Sequence, residues 1–345
     1  MRVLPGLFLL VVANLTAFQE IESKAVFGLD TPTGRYKHPS AITELQNGDL
    51  YLVYFGGDGE YSTTTAVYGS RKTTKGIQWT EPVTIARDPF RSVGNAVVWQ
   101  SPDGLVWLFY VVRFGDTWST SRIAVKVSRD NAETWSDSHM LTLDEGMMVR
   151  NRPIVLSDGD YLLPAYQEFG NDTESVSPET ASVFFRYNSK TKQWSQTGRI
   201  RSSKGNLQPA VVETAPNRLL ALCRRGGNYE STTSGYIIRA ESNDGGNTWS
   251  DGIDSDLPNP NAAIDLIRLK SGRLMLVFND SMNDRTPLTA AFSEDNGKSF
   301  PVRHVLRTGK NSFAYPMVIQ TRDQRIHLVY TSNNRTVINH AVFRE

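Results

Sequence analysis

Asn47-Gly48-Asp49-Leu50-Tyr51-Leu52-Val53-Tyr54-Phe55 decides the fold, because a polar turn running directly into an aromatic and aliphatic strand returns five more times along the chain. The later copies are Asp103-Gly104 before 105–110, Asp158-Gly159-Asp160 before 161–166, Pro216-Asn217-Arg218 before 219–223, Ser271-Gly272-Arg273 before 274–278 and Asp323-Gln324-Arg325 before 326–330. Positions equivalent to Gly48 recur every 52 to 58 residues. Each turn follows a short apolar run (40–45, 95–100, 152–156, 209–213, 263–269 and 316–320), so each unit opens with a tight hairpin. A third run follows at 65–70, 122–128, 182–188, 236–242, 288–293 and 337–343. β-branched and aromatic residues dominate, and no useful stretch has a helical period. Six such repeats predict an all-β, six-bladed β-propeller of four-stranded antiparallel blades, since radial repetition leaves only short protected edges. The sixth unit ends after its third strand, so its fourth is expected from the N-terminal segment around Ala25 to Asp30.

A second signature follows the third strand. Ser242-Asn243-Asp244-Gly245-Gly246-Asn247-Thr248-Trp249 is its fullest copy; Ser293 to Phe300 and Ser128 to Trp135 are close variants, the latter with Ala132 in place of glycine, and weaker remnants end at Trp79 and Trp194. The Asp carboxylate of such a turn caps backbone N–H groups, glycine accepts a positive φ and the aromatic packs between blades. Asp130, Asp244 and Asp295 are therefore read as turn pins rather than catalysts.

The 37 Lys and Arg nearly balance the 36 Asp and Glu, without a block of like charge, which argues against nucleic-acid or membrane-surface binding. Arg2 followed by an apolar stretch to Ala13 and small residues near Ala17 reads as an export signal over 1–17, leaving 18–345 as one domain in a periplasmic or extracellular setting. No later segment has the apolar length of a membrane span. The single cysteine, Cys223, lies in an apolar strand and reads as an inert buried thiol; no intrachain disulfide can form. No metal-ligand spacing or cofactor motif is present, so neither group is expected. Asn171, Asn279 and Asn334 begin triplets of the glycosylation-acceptor type.

Strand direction sorts the remaining polar residues. Residues just before each first strand, and those after each second strand, should share one end of the ring near its axis. That set contains Lys37, His38, Asn151, Arg152, Gln208, Asn261, Asp265 and Tyr315 before first strands, and Glu60, Glu168, Arg224 and Arg285 after second strands. Several arginines converging on one axial cavity repel each other unless carboxylates or an anionic ligand balance them, which points to an acidic ligand. Glu60, in the Gly56-Gly57-Asp58-Gly59-Glu60 loop, is the candidate general acid, with Asp58 its substitute. Asp265, inside an apolar run, must be paired or functional. Trp118 and Tyr229 are candidates for stacking on a sugar ring.

The repeated Asp boxes at blade spacing resemble the sialidase (neuraminidase) superfamily, in its bacterial BNR-repeat branch, over about residues 36–343. The resemblance implies an exo-acting glycoside hydrolase that binds a terminal acidic sugar through three arginines, with a tyrosine paired to a glutamate as nucleophile. Arg224 and Arg285 then correspond to the second and third arginines, and Tyr315 to the nucleophile. Two positions depart from the pattern. The first arginine is replaced by Tyr36-Lys37-His38-Pro39, so that Lys37, His38 or Arg35 would have to serve, and the glutamate beside the tyrosine is replaced by Gln208 in Leu207-Gln208-Pro209. A neutral amide cannot take a phenol proton, so either another base such as Asp265 serves Tyr315 or tyrosine is not the nucleophile. Two alternatives follow: a uronate-specific lyase or hydrolase using His38, and a non-catalytic glycan-binding propeller.

Overall fold

The computed structural model describes residues 18–345 apart from Asp172 and Glu174, so the export signal expected over 1–17 lies outside the described residues. Six antiparallel sheets form the six blades of a β-propeller. The first blade shows the plan: Tyr36–Glu44 is innermost, followed outward by Leu50–Gly57, Ala66–Lys72 and Val83–Arg87. The other innermost segments begin at Val93, Met147, Asn206, Asp265 and Ala314. Among the described residues the only helical element is the single turn Trp118–Thr120, and no helix is long and apolar enough to cross a membrane.

Ring closure uses the N-terminal segment, as the repeat count requires, but the strand is Gln19–Phe27, paired with Val337–Arg344. It stops before Gly28 because the chain turns there, with Thr31 N donating to Gly28 O at 3.2 Å and Gly28 N donating to Thr31 Oγ1 at 3.1 Å. The third blade also departs from a simple repeat. Its innermost segment is broken into Met147–Val149 and Ile154–Val155, both paired with Tyr161–Gln167, and the break frees Arg150 to turn inward.

The Ser-x-Asp turns have the bonding that their sequence requires. Asp244 Oδ1 accepts from Thr248 N at 2.9 Å and from Ser242 Oγ at 2.8 Å, while Gly246 N donates back to Ser242 Oγ at 2.9 Å. The same bonds recur around Asp130 and Asp295. Each turn aromatic packs on the preceding blade: Trp249 stacks on Phe184 at 4.4 Å, Trp194 meets Trp107 edge-on at 5.6 Å and Trp135 lies against Tyr51 at 6.2 Å. Interblade contact by large aromatics buries much apolar surface per residue, so a ring without disulfides can hold together. Cys223 is fully buried, and burial pushes its thiol up to about 12, consistent with an inert core residue.

Candidate active site

Four of the innermost strands start with a register break: between Lys37 and Ser40, Gly94 and Val97, Leu207 and Ala210, and Ala314 and Met317. Such bulges re-aim a side chain. Asn95, Gln208 and Tyr315 sit in these breaks with φ of 33°, 53° and 53°. Non-glycine residues in left-handed backbone each cost roughly 1–3 kcal/mol and concentrate at functional sites. Pro209 and Pro316 follow two of them, placing a residue that has no N–H where the ladder is already interrupted.

Asn95, Gln208 and Tyr315 thereby line one cavity of about 300 Å³ at the axis, together with Glu60, Glu168, Arg224, Arg285 and Arg335. Tyr61, Trp118, Tyr166 and Tyr229 supply aromatic surface. Arg224 is fixed on several sides. Its Nε donates to Asn261 Oδ1 at 2.6 Å, its Nη1 to Tyr315 Oη at 2.8 Å and Gln208 Oε1 at 3.2 Å, and its Nη2 to Tyr229 Oη at 2.8 Å. The Arg285 guanidinium lies 5.6 Å from the Tyr315 ring centre, and Arg335 is ion-paired with Glu60. Arg150, buried beside the cavity, lies 5.3 Å from the same ring and donates to Pro316 O at 2.8 Å.

These charges set the protonation of the site. Burial alone would raise the Tyr315 phenol, but the Arg224, Arg285 and Arg335 guanidiniums outweigh it and hold the group below the ordinary tyrosine value. Burial pushes the Glu168 carboxyl up to about 7, against the opposing pull of Arg224. It also pulls Arg150 down to about 10. His38 is pushed far below the usual imidazole range by burial and by the surrounding arginines, so it is neutral. Thr331 Oγ1 donates its one proton to Ala314 O at 3.0 Å and must therefore accept from His38 Nδ1 at 2.8 Å, which leaves His38 Nε2 unprotonated.

Of the residues singled out from sequence, Glu60, Glu168, Gln208, Arg224, Arg285 and Tyr315 meet in the cavity. His38 and Asn261 stand behind it: the His38 ring packs edge-on 4.1 Å from Tyr315, and Asn261 orients Arg224. The others fall elsewhere. Lys37 is fully buried with its ammonium on Gly34 O, and Arg35 is exposed, so neither supplies the first arginine. Asn151 is an interblade strut, its Nδ2 donating to Pro209 O at 2.9 Å. Arg152 and Asp265 pair with each other at 3.1 Å, and Asp265 Oδ2 also accepts from Val318 N at 2.8 Å. Arg152 opens towards Glu44, Gln100 and Gln320, at the opposite ends of the inner strands. Asp265 is therefore satisfied by a structural pair away from the cavity rather than placed as a base for Tyr315.

The residue that sequence reasoning missed is Arg335, in the tight turn after the second strand of the sixth blade, with φ of 65°. The face rule that selects Arg224 and Arg285 selects Arg335 too once it is extended to the last unit. Its triplet Asn334-Arg335-Thr336 reads as a glycosylation acceptor instead. Asn279, in another such triplet, is fully buried with Nδ2 donating to Phe313 O at 2.9 Å, so it is a core residue rather than a surface acceptor.

The model of the BNR repeat-like domain matches residues 48–328. Among solved structures, a protein of unknown function from Dyadobacter fermentans is similar over 96% of this chain and 100% of its own, at 14% identity and a TM-score of 0.78. A Hadza microbial sialidase is similar over 93% of this chain and 68% of its own (16% identity, TM-score 0.77). An α-L-arabinofuranosidase from Fusarium graminearum is similar over 94% and 98% (12% identity, TM-score 0.67). No curated protein matches the sequence. With six blades in place and the family model spanning most of them, the chain belongs to the BNR repeat-like domain family and has the sialidase-like propeller fold.

Proposed function

We propose that this protein is an exo-acting glycoside hydrolase that removes a terminal acidic sugar, sialic acid or a relative, from a glycan. The observation that carries this reading is the convergence of Arg224, Arg285 and Arg335 on the phenol of Tyr315 in one cavity. Three guanidiniums around a small, partly desolvated space favour an anion, and forked donors suit a carboxylate. Glu60 and the oxygen of Tyr315 offset part of this charge, and an anionic ligand completes the balance in a way that a neutral sugar does not. The sugar carboxylate then anchors the ring, with Tyr61, Trp118 and Tyr229 bounding the apolar part of the site.

In this reading Tyr315 is the nucleophile. Its oxygen forms a bond to the anomeric carbon as the glycosidic C–O bond breaks, and the leaving oxygen takes a proton from Glu168. Glu168 suits that task because its carboxyl is held near neutrality. Glu60, the sequence candidate for the acid, is engaged with Arg335 and serves to position it. Water, deprotonated by Glu168, then releases the sugar with retained configuration, the tyrosine-dependent exception to the paired-carboxylate rule. The lyase reading loses support because His38 is sealed behind Tyr315 and does not line the cavity.

Purified protein incubated with a panel of glycosides of terminal acidic sugars tests this. Release of the free acid is expected, falling by about 10³-fold or more in Tyr315→Phe. Release of neutral sugars alone, or glycan binding without turnover that survives in Tyr315→Phe, would overturn it.

A further inference from the structure

The oxygen of Tyr315 is contacted by donors. Arg224 Nη1 lies 2.8 Å away and can only donate. The second partner, 3.4 Å away, is the side-chain amide of Gln208. The orientation of that amide is fixed by its other terminal atom, which accepts from Arg224 Nη1 at 3.2 Å and must therefore be the carbonyl oxygen. The NH₂ of Gln208 thus faces two phenols, Tyr315 and Tyr166, both at 3.4 Å.

The proton of Tyr315 has no acceptor among the described residues. His38, against the ring edge, spends Nδ1–H on Thr331, and its Nε2 has no partner. Asp265 is occupied by Arg152 and the backbone. Glu60 is held by Arg335, and neither it nor Glu168 lies within hydrogen-bonding distance of the phenol. The cations facing the ring come from four blades: Arg150 from the third, Arg224 from the fourth, Arg285 from the fifth and Arg335 from the sixth. Tyr166 is an internal contrast, since it shares Gln208 but receives only amide donors, from Gln208 and from Asn95 Nδ2 at 3.1 Å.

We propose that Gln208 is a positioning residue which, with Arg224, forms a donor-only cradle holding Tyr315 as a phenolate in the resting protein. A carboxylate base is then unnecessary, because the proton is lost to solvent before substrate arrives. The catalytic consequence rests on the function proposed above. Attack uses a phenolate lone pair, no proton leaves Tyr315 during that step, and the proton gained by the leaving oxygen comes from the Glu168 carboxyl. Glutamine at 208 is accordingly a functional alternative to glutamate, since a carboxylate there would repel the phenolate.

Ultraviolet difference titration of the ligand-free protein, following phenolate absorbance, tests the proposal without substrate. The wild type is expected to show one tyrosine ionised below about pH 8, well under the ordinary value near 10, and Tyr315→Phe to lack it. Gln208→Glu should move that ionisation up by about one pH unit or more, and move the acid limb of any hydrolytic rate with it. If Gln208→Glu does not fold, judged by circular dichroism, Gln208→Met removes the donor without adding charge and should move the ionisation in the same direction by less. Wild type and Tyr315→Phe titrating alike below about pH 9, or a folded Gln208→Glu that leaves the ionisation unmoved and works faster, would overturn it. An early phenolate in a protein that hydrolyses no acidic glycoside would sink the proposed function alone; hydrolysis without the early phenolate would sink this inference alone.

Discussion

Arg335 brings a third guanidinium to the cavity with a carboxylate already fixed against it. It is held in left-handed backbone, its guanidinium is gripped by Glu60, and it completes the group of cations facing Tyr315. Removing one charge-assisted contact to a substrate carboxylate costs about 1.5–3 kcal/mol. Arg335→Ala should therefore raise KM for an acidic glycoside about 10- to 100-fold, read from initial rates against substrate concentration. Glu168 makes a different demand, because it must be protonated to act. With its carboxyl held up to about 7, the rate should decline as pH rises through that value. Glu168→Gln should lower the rate of the first, bond-breaking step, read as pre-steady-state release of the leaving group, about 10²- to 10⁴-fold on alkyl glycosides and much less on nitrophenyl glycosides, whose leaving group needs no proton. Equal losses on both substrates would assign the acid role elsewhere.

The Ser-x-Asp turns are elements whose energetics can be compared within one molecule. Gly246 and Gly297 occupy the left-handed position at φ of 88° and 83°, and Ala132 takes it at 64°. A Cβ in that region costs roughly 1–2 kcal/mol, part of which glycine's looser unfolded chain returns. Ala132→Gly should thus stabilise the fold by about 0.5–1 kcal/mol, measured by denaturant unfolding. The Asp130 carboxyl is held down to about 2 by bonds from Thr134 and Ser128, so its pinning is complete above the ordinary carboxylate range and is lost as pH falls through about 2. These turns and the hairpin glycines were legible in sequence because their chemistry is local. The inner strands were legible as apolar runs, but their bulges were not. Lys37 and His38 are neighbours that point opposite ways, Lys37 to Gly34 O and His38 to the Tyr315 ring, and which of the two faces the axis depends on a register that the break before Ser40 shifts. The Arg152–Asp265 pair joins residues far apart in sequence, and no local pattern announces it.

Across the whole molecule, stability depends on closing the ring, and the closing blade contains a buried histidine pair. His327 Nδ1 and His340 Nε2 are 2.9 Å apart with rings stacked at 5.2 Å, one nitrogen donating and the other accepting. Burial lowers His327 to about 4 and holds His340 well below the usual imidazole range. Between about pH 6.5 and 4 the unfolded chain binds protons that the folded chain refuses, so stability must fall with pH across that window, by on the order of 3 kcal/mol for His327 alone. Thermal unfolding should show that slope, and it should become shallower in His327→Gln, with His340 and His38 supplying the remainder. The repeat count made the number of blades and their N-terminal closure readable; the cavity was readable only as far as the face rule was carried, which is why its third arginine emerged from the assembled ring.

Everything proposed for the site depends on Arg224, Arg285, Arg335 and Tyr315 acting together on one acidic sugar. A crystal structure of Tyr315→Phe with a bound sialyl oligosaccharide tests it most directly. The sugar carboxylate is expected within hydrogen-bonding distance of all three guanidiniums, with the anomeric carbon facing residue 315. A sugar bound outside the axial cavity, or seated in it with its carboxylate turned away from the arginines, would contradict it.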